Sequence, residues 1–124
     1  TVCLDFDGFV FSFGDNTYGQ LGIGESVTCT NIPQKINVPQ ILQISCGSLF
    51  SMCLSETGEV FSFGENDYGQ LGIGNEEISF SPVKIEGLSN IDFIECGGYH
   101  AVCKSVDEEI YGWGNNDYYQ LSEI

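Results

Sequence analysis

Six cysteines are the residues of this sequence with the widest choice of chemistry, because thiolates bind zinc and thiols form disulfides. Five of them recur with a spacing of 50 residues, namely Cys3, Cys53 and Cys103, and Cys46 and Cys96, and only Cys29 is out of register. The closest pairs are C-x6-C, whereas zinc ribbons use C-x2-4-C. A cysteine that occurs once per structural repeat is most simply a small buried side chain. We therefore predict free structural thiols and a reducing compartment, the cytosol or the nucleus.

The one histidine, His100, is the other residue type expected at a catalytic centre. Catalysis by histidine usually needs an oriented partner, and no Ser-His-Asp or Cys-His arrangement can be assembled from this sequence. We predict instead that His100, in Gly97-Gly98-Tyr99-His100, makes a hydrogen bond inside its own repeat.

Two further stretches resemble ligand-binding loops only superficially. Gly69–Gly74 is glycine-rich but lacks the Lys-Ser/Thr of a P-loop, and its glycine order is the reverse of G-x-G-x-x-G. Asp15-Asn16-Thr17 and Glu65-Asn66-Asp67 do not fit the calcium-binding loop of EF-hands, so we predict turns for them. We assign no catalytic, cofactor-binding or metal-binding residue and leave the partner-binding residues unknown. The sequence predicts a protein that is not an enzyme and needs no cofactor.

Charge restricts the partners of this chain. Eighteen acidic residues face three lysines, Lys35, Lys84 and Lys104, and the net charge is −15 without any arginine. Such a surface repels nucleic acid and anionic lipid, so we predict neither as a partner. Two interpretations of the acidity stay open: a solubilising surface, or an acidic face that steers a basic protein partner.

No segment of the sequence indicates a membrane span or a secretory leader. The sequence contains no run of about 18 apolar residues, the length that a membrane-spanning helix needs. Thr1–Asp7 lacks the basic and apolar stretches of a signal peptide and begins directly inside a repeat. We expect an intracellular protein, cytoplasmic or nuclear, of which this sequence is an interior part.

The elements that position these residues come from an internal repeat. Asp7–Gly24 and Thr57–Gly74 are identical at 14 of 18 positions with an offset of 50, and Asp107–Ile124 is a looser third copy. We treat residues 1–124 as one repeat region, with a partial repeat at about 1–24 and full periods at about 25–74 and 75–124. Periods of this length are typical of repeat architectures.

Local signals within each period are all β. Ile41–Ser45 and Phe50–Leu54 are short β-rich runs, and Ser55–Gly58 is a turn before the returning strand Glu59–Phe63. Neither face of this last strand carries charge, which is the pattern of a strand covered on both sides. We predict an all-β fold of four-stranded antiparallel sheets that stack as the blades of a propeller, about 50 residues to a blade, with glycines allowing close contact between blades.

The combination of these elements resembles the regulator of chromosome condensation (RCC1) repeat. Its signature, C-G-x-x-H followed by G-x-V-[YF]-x-[WF]-G-x-N-x-x-G-Q-L-G, is matched by Cys46-Gly47, Cys96–His100, Gly58–Gly64, Asn66 and Tyr68–Gly72. Phe50 stands where the signature has histidine. The third copy also departs from the signature, with Tyr119 and Ser122 at glycine positions.

The resemblance implies two functions. Many RCC1-like propellers are protein–protein interaction modules of larger proteins, which is the function we expect here. The alternative is a guanine-nucleotide exchange factor for a small GTPase of the Ran type, the activity implied by the founding family member. The resemblance also implies a seven-bladed ring, which this chain is too short to close. We expect it to be a segment of a longer propeller that self-associates in isolation, because its terminal blades expose faces and edges.

Overall fold

A computed structural model describes residues 1–122 as ten β-strands. The strands are β1 (Val2–Leu4), β2 (Val10–Asp15), β3 (Cys29–Lys35), β4 (Ile41–Cys46), β5 (Phe50–Ser55), β6 (Val60–Gly64), β7 (Ser79–Lys84), β8 (Ile91–Cys96), β9 (His100–Ser105) and β10 (Ile110–Gly114). In this part of the chain no helix is long and apolar enough to cross a membrane.

The strands form three antiparallel sheets that follow one another along the chain. The central sheet has the order β4-β5-β6-β7, the first has β1-β2-β3, and the third has β10-β9-β8. The all-β antiparallel prediction is confirmed, and the central sheet has the four strands expected of a blade. Within residues 1–122, the first sheet has no counterpart of β4 and the third has none of β7. Neighbouring sheets contact each other through β1 and β4, and through β8 with both β4 and β5.

The hairpin predicted in the centre of the chain is confirmed. β5 pairs with β6 from Phe50 opposite Gly64 to Leu54 opposite Val60. The amide of Gly58 donates to the carbonyl of Ser55 at 3.1 Å, and Gly58 has φ = 80°, a conformation that favours glycine. The hydroxyl of Ser55 accepts a hydrogen bond from the amide of Glu59 and closes the turn.

The central sheet is covered on both faces, as its uncharged strands predicted. Every residue of β5 is buried, and Val60, Ser62 and Phe63 of β6 are fully buried. Phe63 packs in a cluster with Val10 and Ile36 of the first repeat. Val60 packs in a second cluster that includes Ile94 and Ala101 of the third sheet. The central sheet therefore lies between two hydrophobic cores.

Glycines bring neighbouring sheets into direct contact, as predicted. A Cβ atom on Gly22 would lie 2.8 Å from the ring of Phe63 in the next sheet, and one on Gly72 would lie 2.7 Å from the indole nitrogen of Trp113. The same indole N–H donates to the carbonyl of Gln70 at 2.9 Å. Each glycine-rich loop thus closes over an aromatic ring of the sheet that follows it.

Candidate functional site

All six cysteines are free: two are buried, one is partly buried (Cys96) and three are exposed (Cys3, Cys29 and Cys46). Cys53 and Cys103 are buried, which confirms the prediction for these two. For Cys3 and Cys46, which are exposed, the prediction of a buried side chain is wrong. Cys53 is covered because β4 pairs beside it, whereas the first sheet has no such strand beside Cys3. Across residues 1–122 no three His, Cys, Asp or Glu side chains are arranged to hold a metal ion.

His100 packs on a glycine and does not make the predicted hydrogen bond. Its imidazole makes no hydrogen bond within residues 1–122 and lies over Gly97, where a Cβ atom would come within 2.0 Å of the ring. Phe50 lies over Gly47 in the same way, 50 residues earlier. A phenyl ring cannot accept a conventional hydrogen bond, so the shared requirement at this position is a flat ring over glycine. The predicted hydrogen bond is therefore wrong.

The Asn residues of the two acidic turns hold the glycine-rich loops in place. Asn66 is fully buried, and its side-chain amide donates to the carbonyls of Asn75 at 2.8 Å and Glu77 at 3.0 Å. Its Oδ1 accepts from the amide of Leu71 at 2.9 Å. Asn16 makes the corresponding bonds in the first copy. The predicted turns are confirmed, and their asparagines satisfy loop backbone that would otherwise lack partners.

A glutamine in each copy clamps the tyrosine that precedes it by two residues. The amides of Tyr18, Tyr68 and Tyr118 donate to Oε1 of Gln20, Gln70 and Gln120 at 2.9, 2.9 and 3.0 Å. The other end of each glutamine donates to the side chain of Asp15, Glu65 or Asn115. The backbone beneath all three tyrosines is thereby fixed in the same way.

These loops lie at one end of the strands and form what we call the loop face. It consists of the loops 15–28, 65–78 and 115–122 together with the turns 47–49 and 97–99. Neighbouring turns are joined there by the amide of Ser48, which donates to the carbonyl of Gly98 at 3.0 Å. The opposite end of the strands, with the turns 5–9, 55–59 and 105–109, is the hairpin face.

Tyrosine rings are the prominent exposed side chains of the loop face. Tyr18, Tyr68 and Tyr118 expose 40, 48 and 88 % of their surface, and Tyr99 and Tyr119 expose 39 and 68 %. The rings of Tyr68 and Tyr99 come from different sheets and lie 5.3 Å apart at an angle of 55°. The loop face therefore displays aromatic groups across the junctions between sheets, and we regard it as the candidate functional site.

The recurrence of these tyrosines is evident in the sequence, although no prediction of a site was based on it. Tyr18, Tyr68 and Tyr118 fall on a position that the repeat signature leaves open, N-x-x-G-Q-L-G, yet all three copies carry tyrosine there. A residue that recurs where the scaffold does not require it, on an exposed loop, indicates a surface role.

Comparison with known proteins supports the resemblance found in the sequence. The family model of the Regulator of chromosome condensation (RCC1) repeat matches residues 7–54 and 57–103. A second model of the same repeat matches residues 41–70 and 91–120. The match extends over most of the chain.

Proteins with similar sequences or similar structures extend this comparison. The human E3 ubiquitin-protein ligase HERC2 is 47 % identical over 55 residues, which cover 42 % of this chain and 1 % of that protein. The human Regulator of chromosome condensation is 39 % identical over 49 residues, which cover 39 % of this chain and 12 % of that protein. The crystal structure of human WBSCR16 superposes with a TM-score of 0.84 at 32 % identity, covering 97 % of this chain and 32 % of that chain.

The chain thus spans a third or less of the length of each of these proteins. Yeast RCC1 (Prp20), in its crystal structure with Kap60, superposes with a TM-score of 0.85 at 23 % identity, covering 95 % of this chain and 30 % of that chain. The RCC1-type β-propeller fold predicted from the sequence is thereby confirmed. With repeat models matched over most of its length and sheets that superpose on such a propeller, the chain belongs to the RCC1 repeat family.

Proposed function

We propose that this chain is a protein–protein interaction module and that the loop face is its contact surface. The observation that supports this most directly is the repeated hydrogen bond from a tyrosine amide to a glutamine side chain. This bond fixes the backbone of three exposed tyrosines, one in each loop. Tyrosine is enriched at protein interfaces because its ring offers a large contact area at little cost in conformational entropy. A rigid surface also loses less entropy when a partner binds.

The residues that could have indicated an enzyme support the same proposal. Cys53 and Cys103 are buried, His100 packs on Gly97, and the glycine-rich loops close over aromatic rings. We propose a module without catalytic activity or cofactor, with a protein as partner rather than nucleic acid or membrane, because the net charge is −15. The free thiols favour an intracellular location, the cytoplasm or the nucleus.

We further propose that the chain is a segment of a longer propeller. The third sheet leaves Ile110 77 % exposed, whereas its counterpart Val60 is fully buried against the next sheet. In isolation the chain should self-associate through this face, which sedimentation velocity would reveal as a mass that rises with concentration. A monomer at all concentrations would contradict this proposal.

The second candidate is a guanine-nucleotide exchange factor for a small GTPase of the Ran type. The match to the human Regulator of chromosome condensation favours it, because a resemblance to this founding family member implies exchange activity. Such a protein acts by binding the nucleotide-free GTPase more tightly than the loaded form, without a covalent step.

A photocrosslinking experiment tests the interaction module. The full-length protein would carry p-benzoylphenylalanine in place of Tyr18 on the loop face, or in place of Tyr111, an exposed tyrosine of β10 at the hairpin end of its strand. We expect discrete protein adducts from the loop face and few from Tyr111 after irradiation in cells. Equal adducts from both positions, or none from Tyr18, would overturn the proposal.

Immunoprecipitation of the full-length protein separates the two candidates. The protein would be captured through an affinity tag joined outside residues 1–122, which leaves the loop face free, and the washes would contain either magnesium or EDTA. A small GTPase retained more strongly in EDTA would identify an exchange factor, because only that class prefers the empty GTPase. Partners retained equally in both washes would favour the interaction module.

A further inference from the structure

The lysines of this chain, unlike its acidic residues, lie towards only one of its two faces. All three lysines lie towards the hairpin face, where Lys84 pairs with Glu59, and Lys104 pairs with Asp92 and Glu108 at 3.2 Å. Lys35 lies at the same end of its strand, with its ammonium 3.6 Å from the ring centroid of Phe9. Every positively charged side chain of the described chain, histidine aside, is therefore engaged on one face.

The loop face, in contrast, carries acidic side chains without cationic partners. They belong to the three loops, and no ion pair within residues 1–122 includes them: Asp15, Glu25, Glu65, Asp67, Glu76, Glu77 and Asp117. Glu65 and Asp67 flank Asn66 directly beside Tyr68. Partial burial and the charge of Asp67 together raise the pKa of the Glu65 carboxyl. The charges on this face repel one another and are not neutralised by ion pairs within residues 1–122.

Aromatic rings lie among these carboxylates. Each loop places a tyrosine one to three residues from an acidic side chain, as in Asp15/Tyr18, Asp67/Tyr68 and Asp117/Tyr118. The hydroxyls of Tyr18, Tyr68, Tyr99 and Tyr118 form no hydrogen bond within residues 1–122, whereas that of Tyr111 donates to Glu109 at 2.8 Å. Both the rings and their hydroxyls are available to a ligand.

We propose that the loop face binds an arginine-containing, cationic segment of a partner protein. A guanidinium group stacks on aromatic rings and donates paired hydrogen bonds to carboxylates, so it matches both features of this face. A lysine ammonium matches the carboxylates but stacks less well. The repetition of the tyrosine–carboxylate unit from loop to loop favours an extended segment that contacts several units. This inference rests on the proposed interaction module and names the chemistry of its partner.

Fluorescence anisotropy with defined peptides tests the proposal. The probe is a fluorescein-labelled peptide of alternating arginine and glycine, and the controls replace arginine with citrulline, which has the same shape without charge, or with lysine. With the full-length protein we expect binding of the arginine peptide, weaker binding of the lysine peptide and none of the citrulline peptide. Affinity should fall as the ionic strength rises. An arginine peptide that fails to bind at low ionic strength would overturn the proposal.

Matched variants separate this face from the general acidity of the protein. Tyr68→Ser with Tyr99→Ser should weaken arginine-peptide binding by about tenfold, since both rings are lost from one junction. Tyr111→Ser should change it by less than about twofold. Asp67→Asn with Asp117→Asn should weaken binding more than Asp7→Asn with Asp107→Asn, which removes the same charge from the hairpin face. Equal effects of the two charge pairs, with no effect of the tyrosines, would overturn the proposal.

The outcomes distinguish this inference from the function on which it rests. Each variant must first retain the unfolding midpoint of the parent, so that a loss of binding reports on the surface. If photocrosslinks form at Tyr18 but the arginine peptide does not bind, the interaction module stands and the cationic partner is wrong. If neither occurs, both proposals fail.

Discussion

The central and third sheets carry related residues at equivalent positions and bury them very differently. Val60 of the central sheet is fully buried, and Ile110, its counterpart, is 77 % exposed. Gln70 is fully buried, whereas Gln120 is exposed although it makes the same clamp. The hydrogen bonds within each copy are therefore set by local sequence, and burial is set by the neighbouring sheet. Substitutions at equivalent positions can separate these two contributions.

The largest difference is expected for the leucine of the glycine-rich loop. Leu71 is fully buried among the side chains of the central core, so Leu71→Ala should lower the free energy of unfolding by about 2 to 5 kcal/mol. Leu121 is half-buried, and Leu121→Ala should cost about 1 kcal/mol. Urea unfolding of the isolated chain and its variants, at concentrations low enough to keep the chain monomeric, measures both. Equal losses would mean that burial does not differ between the sheets in solution.

A smaller difference is expected for the loop asparagines. Asn66→Ala removes the four hydrogen bonds of a fully buried side chain, one of them with the amide of the buried Leu71, and should cost about 2 to 3 kcal/mol. Asn116 is exposed, and water can replace its bonds to Leu121 and Ser122, so Asn116→Ala should cost less than about 1 kcal/mol. The same urea titrations, together with hydrogen exchange at the amide of Leu71, check the result. Unchanged protection of that amide in Asn66→Ala would contradict it.

Exchanging equivalent residues between the loops 65–78 and 115–122 tests the contact between the central and third sheets. Gly72 has φ = 67° and lies against Trp113, so Gly72→Ser should cost about 2 kcal/mol through strain and a steric clash. Ser122 has φ = 72° and is exposed, so Ser122→Gly should be neutral or stabilising by less than about 1 kcal/mol. Thermal unfolding of both variants measures the shifts. A stabilised Gly72→Ser variant would show that the loop does not close over the indole.

Alkaline pH tests a position that is buried in both the central and the third sheet, where Cys53 and Cys103 are equivalent. Burial raises the pKa of Cys53 from 9.0 to about 12 and that of Cys103 to about 11. Between these values the unfolded chain has lost protons that the folded chain retains. The free energy of unfolding therefore falls as the pH rises above about 9, by on the order of 1 kcal/mol per pH unit for each thiol.

Unfolding in urea over this pH range measures the slope. Cys53→Ala should make the slope shallower by the contribution of one thiol, because Cys103 still contributes. Identical slopes in Cys53→Ala and the parent would contradict the assignment of a buried neutral thiol at this position.

The parts of the fold that were predictable are those that depend on nearby sequence. The hairpin of β5 and β6 follows from the turn at Gly58, and the all-β fold follows from short uncharged strands separated by glycines. The exposure of Cys3 and Cys46 was not predictable, because it depends on which strand lies beside each residue. His100 was misinterpreted for a related reason: its packing partner, Gly97, becomes evident only when the turn brings ring and glycine together.

The candidate site was predictable only in part. The excess of acids over lysines is evident from composition, but the separation of the lysines from the loop face follows from strand directions. β3, β7 and β9 all run towards the hairpin face and end with or near their lysines. The contact between Tyr68 and Tyr99 joins two sheets and required the stacking of one sheet on the next.

The offset between repeats and sheets also has a mechanical consequence. The repeat matched at residues 7–54 contains β2 and β3 of the first sheet, and β4 and β5 of the central one. Each such repeat is therefore a link that holds two strands in each of two sheets. A force that pulls one repeat away must therefore break the hydrogen bonds of both sheets to which the repeat contributes strands. Under load we expect this part of the molecule to rupture in large cooperative steps, unlike solenoids, whose repeats contact only their neighbours and unravel one by one.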